Sequence, residues 1–379
     1  MVLLNFGPKK LGFGCMRLPM SEGTVGGEGV VDTRQVCAMV DAFLEHGVCY
    51  FDTAHGYIAQ NSEPTVRQCL VERHPRDRFL LPDKLSGTFF QTEEEIRPFF
   101  ESQLEITGAG YFDFYLMHAL NANQYQKFTE CNAFQVAQQL KNEGKIRHVG
   151  ISFHDTPEVL EQILSEHPEI EVVQIQFNYA DLEDPKVQSL AVYEVCRRHG
   201  KPVIVMEPVK GGALANLPEA AGQILDRLQG GSRASYAIRF AASFEGVAMV
   251  LSGMSSLEQM QDNLSYMSSF QPLTQPEQEA VRRAGAVLKN QEAIACTACR
   301  YCEAGCPMRI PIPDLFAGFN GKKQGSGSTF DYEAAVSDGH GRASSCIGCL
   351  QCETVCPQHL PVSALLAQVA GEFEAAHEA

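Results

Sequence analysis

Helix-like and strand-like stretches alternate over the first 286 residues of the chain. Three helix-like stretches are each followed by a glycine and then by an apolar run: Thr33–Glu45 before Gly47, Phe134–Asn142 before Gly144, and Val187–Arg198 before Gly200. A glycine just past a helix supplies a left-handed C-terminal cap, and short continuous apolar runs are typical of buried parallel strands. The pattern therefore predicts a succession of β-strand and α-helix units.

Eight apolar runs are candidate parallel strands of these units. They are Leu11–Gly14, Val48–Asp52, Phe79–Lys84, Phe112–His118, His148–Ser152, Val172–Phe177, Pro202–Met206 and Val247–Ser252. Eight units fit a (β/α)8 barrel, which typically needs ~250 residues. An open doubly wound sheet is the alternative, but it usually carries a G-x-G-x-x-G turn after its first strand, and Gly12-Phe-Gly14 is followed by Cys-Met-Arg17. We therefore expect an α/β fold, a (β/α)8 TIM barrel over residues 1–286.

The chain has fourteen cysteines, and eight of them form two runs near its end. Each run has the spacing C-x2-C-x2-C-x3-C-P: first Cys296, Cys299, Cys302 and Cys306, then Cys346, Cys349, Cys352 and Cys356. Bacterial two-cluster ferredoxins use this spacing to hold iron–sulfur clusters, and the last cysteine of each run ligates the other cluster. Zinc sites and disulfides are the alternatives. Zinc sites commonly use pairs of C-x2-C, so the triplets favour two [4Fe–4S] clusters.

Three thiolates of one run can come from a single loop, whereas the proline turns the chain away before a fourth can join them. We expect one cluster on Cys296, Cys299, Cys302 and Cys356, and the other on Cys346, Cys349, Cys352 and Cys306. The region resembles a ferredoxin-like dicluster module, and we assign it residues 287–379. Between the runs, the segment Phe319–Gly341 is rich in Gly, Ser and Lys and is predicted to be a surface loop or a partly ordered insert.

Charge and composition exclude several classes of partner. Lys and Arg number 30 against 46 Asp and Glu, for a formal charge of −16. Such a chain is poorly suited to nucleic acid or to an anionic membrane surface. No apolar run approaches the ~18 residues of a spanning helix, and the first residues lack the basic and apolar parts of a secretion signal. The sequence therefore predicts a cytoplasmic protein that binds neither nucleic acid nor membrane.

Ionisable residues stand at the carboxyl ends of three predicted strands, where reactive side chains of (β/α)8 barrels lie. The second strand ends in Asp52, the third in Lys84 and the fourth in His118, and Tyr57 follows the second strand by five residues. A lysine is costly to bury unpaired, so Asp52 is its natural partner. A cationic lysine beside a tyrosine lowers the pKa of the phenol and makes it a proton donor near neutral pH. The set describes proton donation to a carbonyl oxygen as hydride arrives.

These residues also carry a family resemblance. Phe51-Asp52-Thr-Ala-His-Gly-Tyr57, Lys84, and Asp113-Phe-Tyr-Leu-Met-His118 resemble the aldo-keto reductase family, in the same strand order and over about residues 1–286. The resemblance implies that Asp52, Tyr57, Lys84 and His118 form the catalytic tetrad, with Tyr57 as general acid or base. It also implies NADP or NAD as cofactor and a small-molecule carbonyl or alcohol as substrate.

The resemblance extends to residues that hold the nicotinamide cofactor. It implies two groups of contacts: Ser152, Gln174, Met206, Gly211, Gly212 and Leu214 along the nicotinamide and pyrophosphate, and Ser255, Gln259 and Asn263 at the adenosine-phosphate end. The family usually has an aromatic residue stacked on the nicotinamide where this chain has Met206. The phosphate segment from Ser252 to Asp262 has no Lys or Arg, so the preference for NADP over NAD is weak.

Three functional hypotheses remain open at this stage. The first is a carbonyl reductase or alcohol dehydrogenase whose clusters are structural. The second is an electron-transfer oxidoreductase whose clusters exchange electrons with the barrel site or with a redox partner protein, through a flavin. The third is a redox sensor that binds nicotinamide without turnover, which the presence of Tyr57 disfavours. The loops Ala119–Glu130 and Ala213–Ser232 hold few charges, which favours a neutral or apolar substrate.

Overall fold

The computed structural model describes residues 4–21, 29–289, 293–324, 330–337 and 339–374. Strands of these residues are β1 (Leu11–Gly14), β2 (Tyr50–Asp52), β3 (Pro82–Ser86), β4 (Phe112–Leu120), β5 (Ile146–Phe153), β6 (Val172–Gln176), β7 (Val203–Met206) and β8 (Val247–Ser252). They form one parallel sheet in the order β2-β1-β8-β7-β6-β5-β4-β3. Leu80 donates a backbone hydrogen bond to Cys49 (2.7 Å) and accepts one from Phe51 (2.9 Å), which links the two end strands. The predicted (β/α)8 barrel is thus confirmed as a near-closed sheet.

The helices alternate with the strands as the pattern predicts. They are α1 (Thr33–Glu45), α2 (Ser62–Val66), α3 (Glu93–Thr107), α4 (Ala122–Glu130), α5 (Ala133–Asn142), α6 (Pro157–Glu166), α7 (Ser189–Arg198), α8 (Glu219–Asp226), α9 (Arg233–Ala242), α10 (Leu257–Met267), α11 (Gln275–Lys289), α12 (Ile312–Gln324), α13 (Tyr332–Ala335), α14 (Gln351–Thr354) and α15 (Val362–Phe373). Gly47 and Gly144 end two of them with φ of +72° and +78°, and a Cβ at either would meet nothing within 4 Å. Backbone conformation rather than space therefore requires glycine there. Within the described ranges, no helix combines the length and apolarity needed to cross a bilayer.

The third strand differs from its predicted range of Phe79–Lys84. It begins at Pro82 and ends at Ser86, and Leu80 contributes only an isolated bridge to Tyr50. Proline has no N–H for a ladder and is tolerated at the first position of a strand. The run is largely buried, as predicted, but its ladder with the neighbouring strand begins at Pro82, three residues after Phe79.

Side chains that point into the barrel change from apolar to polar toward the carboxyl ends of the strands. An apolar cluster fills the interior, formed by Tyr50, Phe114, Leu116, Val172, Ile204, Met249 and Leu251. Successive side chains of a strand point to opposite faces, so the residue two positions after each member points inward as well. Those positions include Asp52, His118, Gln174 and Met206. Strand alternation thus directs the predicted site residues to one mouth of the barrel.

The chain path after residue 293 repeats itself, with Cys296 and Cys346 at equivalent positions. Left-handed backbone recurs at matching places in the two halves: Ala298 and Gly348, Arg300 and Leu350, Arg309 and His359. The small apolar core also takes matching residues from each half: Ile310 and Leu360, Ile312 and Val362, Phe316 and Leu366, Phe319 and Val369. The second domain is therefore built from two equivalent halves that share one core.

The prediction for Phe319–Gly341 as a surface loop or partly ordered insert is partly wrong. Helix α12 continues to Gln324, and α13 spans Tyr332–Ala335. Phe319 and Tyr332 are buried in the small core, and this burial outweighs the loop-like composition around them. Residues 325–329 and 338 of the predicted segment lie outside the described residues.

Candidate functional site

Three strand ends and one loop bring four ionisable side chains together at the mouth of the barrel. Lys84 Nζ lies 2.7 Å from Asp52 Oδ2 and donates to the carbonyl oxygen of Thr53 at 2.7 Å. The same Nζ is 4.9 Å from the centroid of the Tyr57 ring, and this centroid is 5.9 Å from that of His118. Asp52, Tyr57 and Lys84 are buried. The structure therefore brings the four residues of the predicted tetrad together.

The turn that carries Tyr57 has an unusual backbone. Ile58, Ala59 and Gln60 follow it with φ of 50°, 47° and 69°. Left-handed conformation is costly for residues with a Cβ and most of all for a β-branched one. The amide of Tyr57 donates to Ala54 at 3.0 Å, and its carbonyl accepts from Ser62 at 3.3 Å. The strained turn is thus anchored on both sides of Tyr57, which restricts where the phenol can point.

The expected fall in the pKa of Tyr57 does not occur. Burial raises the pKa of Tyr57 well above its ordinary value, and the nearby charges of Asp52 and Asp83 act in the same direction. Asp52, 2.7 Å away, offsets the positive charge of Lys84, so the lysine does little to lower the pKa of the Tyr57 phenol. Tyr57 is therefore protonated at neutral pH.

His118 is held as a neutral ring. Burial lowers the pKa of His118 well below its ordinary value, and the positive charge of Lys84 lowers it further. Its Nδ1 lies 2.6 Å from the hydroxyl of Ser86. With Nδ1 accepting from that hydroxyl, Nε2 carries the proton of the neutral ring and becomes a donor.

A buried carboxylate pair supports the site from outside the barrel, and the sequence analysis missed it. Asp83 Oδ1 accepts from the amide of Lys84 at 2.8 Å and from Gln103 at 3.1 Å, and the same Gln103 nitrogen also lies 3.1 Å from Glu63. Burial and the charge of Glu63 raise the pKa of Asp83 well above its ordinary value. The network fixes the backbone of Lys84. The sequence did contain a signal for this pair: Asp83 and Lys84 are consecutive charged residues in an apolar run. Since successive side chains of a strand face opposite sides, one of the two must be buried outside the barrel.

Three of the expected cofactor contacts lie at neighbouring strand ends. Gln174 Nε2 is 3.7 Å from the sulfur of Met206, whereas Gln174 Oε1 is buried and has no partner within the described residues. Ser152 Oγ accepts from the amide of Ala119 at 2.8 Å. A buried acceptor without a donor is costly, so Gln174 Oε1 is available for a ligand.

The turn after β7 carries the next three expected contacts. Gly211 and Gly212 have φ of +63° and +99°, and Leu214 is fully buried. The amide of Gly211 donates to Glu207 at 2.5 Å. The turn therefore favours glycine at both positions, and the bond to Glu207 fixes it to the end of β7.

The last three expected contacts lie at the start of α10. Ser255 donates its amide to Gln259 Oε1 at 2.8 Å and its hydroxyl to the carbonyl of Arg17 at 2.9 Å. Asn263 is buried; its side-chain nitrogen donates to the hydroxyl of Ser252 at 2.7 Å, and its side-chain oxygen accepts from the hydroxyl of Tyr266. These polar groups are engaged within the protein. Arg17 brings a cation beside this helix start, where the segment from Ser252 to Asp262 has none.

The cysteine thiols of the two runs are interleaved. The pKa of Cys299 is raised to about 12 by burial, with Cys356 and then Cys296 acting in the same direction. Four other thiols line one pocket: Cys306, Cys346, Cys349 and Cys352. Each run's last cysteine thus lies with the first three of the other run.

All fourteen cysteines are free. In the part of the chain that the structure describes, no three His, Cys, Asp or Glu side chains converge on a single metal ion. The eight thiols of the two runs are therefore not joined in disulfides.

The first cysteine run lies on the mouth of the barrel. Arg17 donates to the carbonyl of Thr297 at 2.7 Å, and the side chains of Gln176 and Gln358 exchange hydrogen bonds of 3.2 and 2.8 Å. Tyr301, between Cys299 and Cys302, meets the His118 ring edge to face with centroids 6.4 Å apart. The sequence analysis missed Tyr301, because nothing in a cysteine loop marks one residue as a neighbour of a distant strand end.

Comparison with known proteins agrees with this architecture. The sequence model of the aldo/keto reductase family matches residues 10–286, and that of the 4Fe-4S dicluster domain matches residues 295–360. None of the curated proteins compared with this chain matches it.

Solved structures share the barrel fold. An aldo-keto reductase from Klebsiella pneumoniae in complex with NADPH is 22% identical, with a TM-score of 0.58, over 72% of this chain and 90% of that one. The holo form of aldo-keto reductase AKR11C1 from Bacillus halodurans is 24% identical, with a TM-score of 0.59, over 73% and 91%. At these identities the likeness establishes the fold.

Proposed function

Because the chain belongs to the aldo/keto reductase family and continues into a 4Fe-4S dicluster domain, we propose that it is an NADP(H)-dependent carbonyl reductase or alcohol dehydrogenase that carries two [4Fe–4S] clusters. The barrel of residues 1–286 performs the reaction, and residues 287–379 hold the clusters. Two separate apolar cores support a division near this boundary; helix α11 crosses it, and Val287 and Leu288 still pack against the barrel core.

The observation that carries this proposal is the protonated Tyr57 held beside the Asp52–Lys84 pair. Tyr57 donates its proton to the carbonyl oxygen of the substrate as hydride reaches the carbonyl carbon. Lys84, 4.9 Å from the ring centroid, places a positive charge beside the phenolate that remains; Asp52 offsets part of this charge and orients the lysine. His118 donates from Nε2 to the same oxygen and fixes the carbonyl.

The cofactor site fits a nicotinamide. A bound NADPH supplies the hydride. Gln174 Oε1, buried without a partner among the described residues, accepts from the carboxamide, and Ser152 binds the same group. The side chain of Arg17 lies against Gly253, just before α10, and brings a guanidinium toward the phosphates that is shared with Glu207 at 3.4 Å. The Klebsiella relative contains NADPH, which supports NADP over NAD.

The thiols fit iron–sulfur clusters. Bound clusters accept or donate single electrons. The amide of Ala298 lies 3.4 Å from Cys296 Sγ, and hydrogen bonds to cluster sulfurs tune the reduction potential. The pocket among Cys306, Cys346, Cys349 and Cys352 has a mostly apolar lining, with Ser363 as its other polar side chain. The number of clusters and both ligand sets belong to this proposal.

The variant Tyr57→Phe tests the role of the phenol. We expect it to lower kcat for the NADPH-dependent reduction of a neutral aldehyde such as 4-nitrobenzaldehyde by about 10²–10⁴-fold, while NADPH binding measured by calorimetry stays unchanged. Tyr111→Phe is the matched control, because Tyr111 precedes β4 at the opposite end of the barrel. Undiminished turnover in Tyr57→Phe would overturn the proposal.

A second candidate function, electron transfer between the clusters and the barrel site, is favoured by the position of the first cysteine run on the mouth. One NADPH carries two electrons and each cluster accepts one, so two clusters balance one nicotinamide if a flavin splits the hydride. The test is anaerobic addition of NADPH without a carbonyl compound. Loss of the visible cluster absorbance supports electron transfer, whereas unchanged absorbance with carbonyl-dependent NADPH consumption supports the plain reductase.

A further inference from the structure

The mouth of the barrel contains a side chain from the cysteine-rich domain. Tyr301 lies within the first run, two residues after Cys299 and one before Cys302. Its ring meets that of His118 at an interplanar angle of 88°, and the Tyr57 ring meets His118 at 76°. The two tyrosines thus contact the same histidine. Burial raises the pKa of Tyr57, and side-chain hydrogen bonding with Tyr301 acts in the opposite direction, as expected for two phenols that lie side by side at the mouth.

The loop that carries Tyr301 is held on both of its sides. Arg300 adopts a left-handed φ of 64°, and its guanidinium pairs with Asp314 at 2.6 Å and with Glu303 at 2.7 Å. On the barrel side, the carbonyl of Thr297 accepts from Arg17 at 2.7 Å. A tyrosine flanked by two proposed cluster ligands and by these pairs has little freedom to leave the mouth.

We propose that Tyr301 is a positioning residue of the barrel's catalytic site, holding the hydroxyl of Tyr57 toward the substrate, so that the cysteine loop forms part of this site. The inference rests on the proposed function of Tyr57 as proton donor. It assigns the second domain a direct part in carbonyl reduction that does not depend on electron flow through the clusters.

Two further features support a role beyond packing. The equivalent of Tyr301 in the second half of the domain is Gln351, which is exposed, so the shared architecture does not require an aromatic residue at this position. Tyr301 also neighbours Tyr57, the one side chain at the mouth whose proton the proposed reaction transfers, whereas a purely packing aromatic needs no hydroxyl.

The test compares Tyr301→Phe with Tyr301→Leu in the holoprotein. The first variant removes only the hydroxyl, and the second also removes the ring that contacts His118. We expect Tyr301→Phe to lower kcat for 4-nitrobenzaldehyde by about tenfold, the effect of one lost hydrogen bond, and Tyr301→Leu to lower it further. The solvent deuterium isotope effect on kcat should rise in Tyr301→Phe, because misplacing the proton donor makes proton transfer slower.

Measurements other than turnover distinguish a positioning role of Tyr301 from general disruption of the cofactor or cluster sites. The dissociation constant of NADPH, measured by calorimetry, and the visible cluster absorbance should stay at their wild-type values in Tyr301→Phe. Tyr332→Phe is the matched control, because Tyr332 lies in the same domain and its hydroxyl bonds to Glu374 at 2.5 Å, away from the barrel. It should leave kcat and the isotope effect unchanged.

The outcomes distinguish the inference from the function on which it rests. If Tyr57→Phe is inactive while Tyr301→Phe matches wild type in kcat and isotope effect, the positioning role is wrong and the reductase proposal stands. If Tyr57→Phe retains turnover, the reductase proposal itself fails. If Tyr301→Phe loses cluster absorbance together with turnover, its effect is structural and the positioning role is overturned.

Discussion

Gly211 lies directly against the backbone of Thr297. A Cβ built on Gly211 would be 2.6 Å from the Thr297 carbonyl oxygen and 2.8 Å from its Cα. The turn after β7 and the first cysteine run are therefore in contact at a point where no side chain fits between them. The contact joins the two domains beside Arg17, which donates to the same carbonyl oxygen.

Gly211→Ala should displace the first cysteine run from the barrel. The added methyl group meets backbone rather than a flexible side chain, and the left-handed φ of +63° adds strain. We expect faster amide exchange in residues 293–302 and a loss of about 1–3 kcal/mol in the free energy of unfolding. Gly212→Ala is the matched control, because its φ is +99° but its Cβ would meet nothing closer than 3.9 Å. Equal exchange in both variants would show that the contact does not hold the run.

Lys84→Met should destabilise the barrel strongly. The substitution leaves Asp52 buried without its partner at 2.7 Å, which costs about 3–5 kcal/mol in the free energy of unfolding. The double variant Asp52→Asn/Lys84→Met should cost less than the sum of the single changes. Urea unfolding measures all three. The control is Lys145→Met, which removes a half-exposed pair with Glu101 and should cost at most about 1 kcal/mol. If the losses in Asp52→Asn/Lys84→Met were simply additive, Asp52 and Lys84 would not stabilise each other.

The rates of reduction and oxidation should depend on pH in opposite ways. Burial raises the pKa of Tyr57 well above its ordinary value, so the phenol keeps its proton through neutral pH. Reduction needs that proton, and kcat should stay level until pH approaches about 10, the ordinary tyrosine pKa, or beyond. Oxidation needs the phenolate, so its rate should rise with pH over the same range. A fall in the wild-type rate of reduction that begins below about pH 8 would contradict the assignment of Tyr57 as proton donor.

Removal of iron and sulfide should loosen the second domain before the barrel. Six of the eight cysteines pack against the small apolar core, and Cys306 of the first run shares a pocket with Cys346, Cys349 and Cys352 of the second. Without clusters, the cysteines around this core have no ligand between them. Metal binding and folding are coupled in small metal domains, so the core should become less stable. Amide exchange after anaerobic chelation should rise in residues 293–374 while strands β1 to β8 stay protected. Uniform loss of protection would show that the barrel depends on the clusters.

The sequence predicted those parts of the molecule whose cause is local. Strand alternation places Asp52 and His118 inward, two residues after Tyr50 and Leu116, and the cysteine spacing indicates which thiols share a space. The pKa of Tyr57 was mispredicted, because burial and the pairing of Lys84 with Asp52 depend on the folded environment. Tyr301 was missed, since the contact between a cysteine loop and a barrel mouth is set by how two domains dock.

The two equivalent halves of the cysteine-rich domain have opposite surroundings. Thr297, in the first half, is buried against the barrel, whereas its counterpart Ile347 is 63% exposed, and Leu350 and Cys349 beside it are exposed as well. Sequence change in the two halves therefore has separate consequences. Substitutions at Thr297 or Tyr301 change the contact with the barrel, whereas substitutions at Ile347 or Leu350 change what the molecule presents to its surroundings. The second half touches the barrel through Gln358, which exchanges hydrogen bonds with Gln176, so its first loop is the part that faces outward.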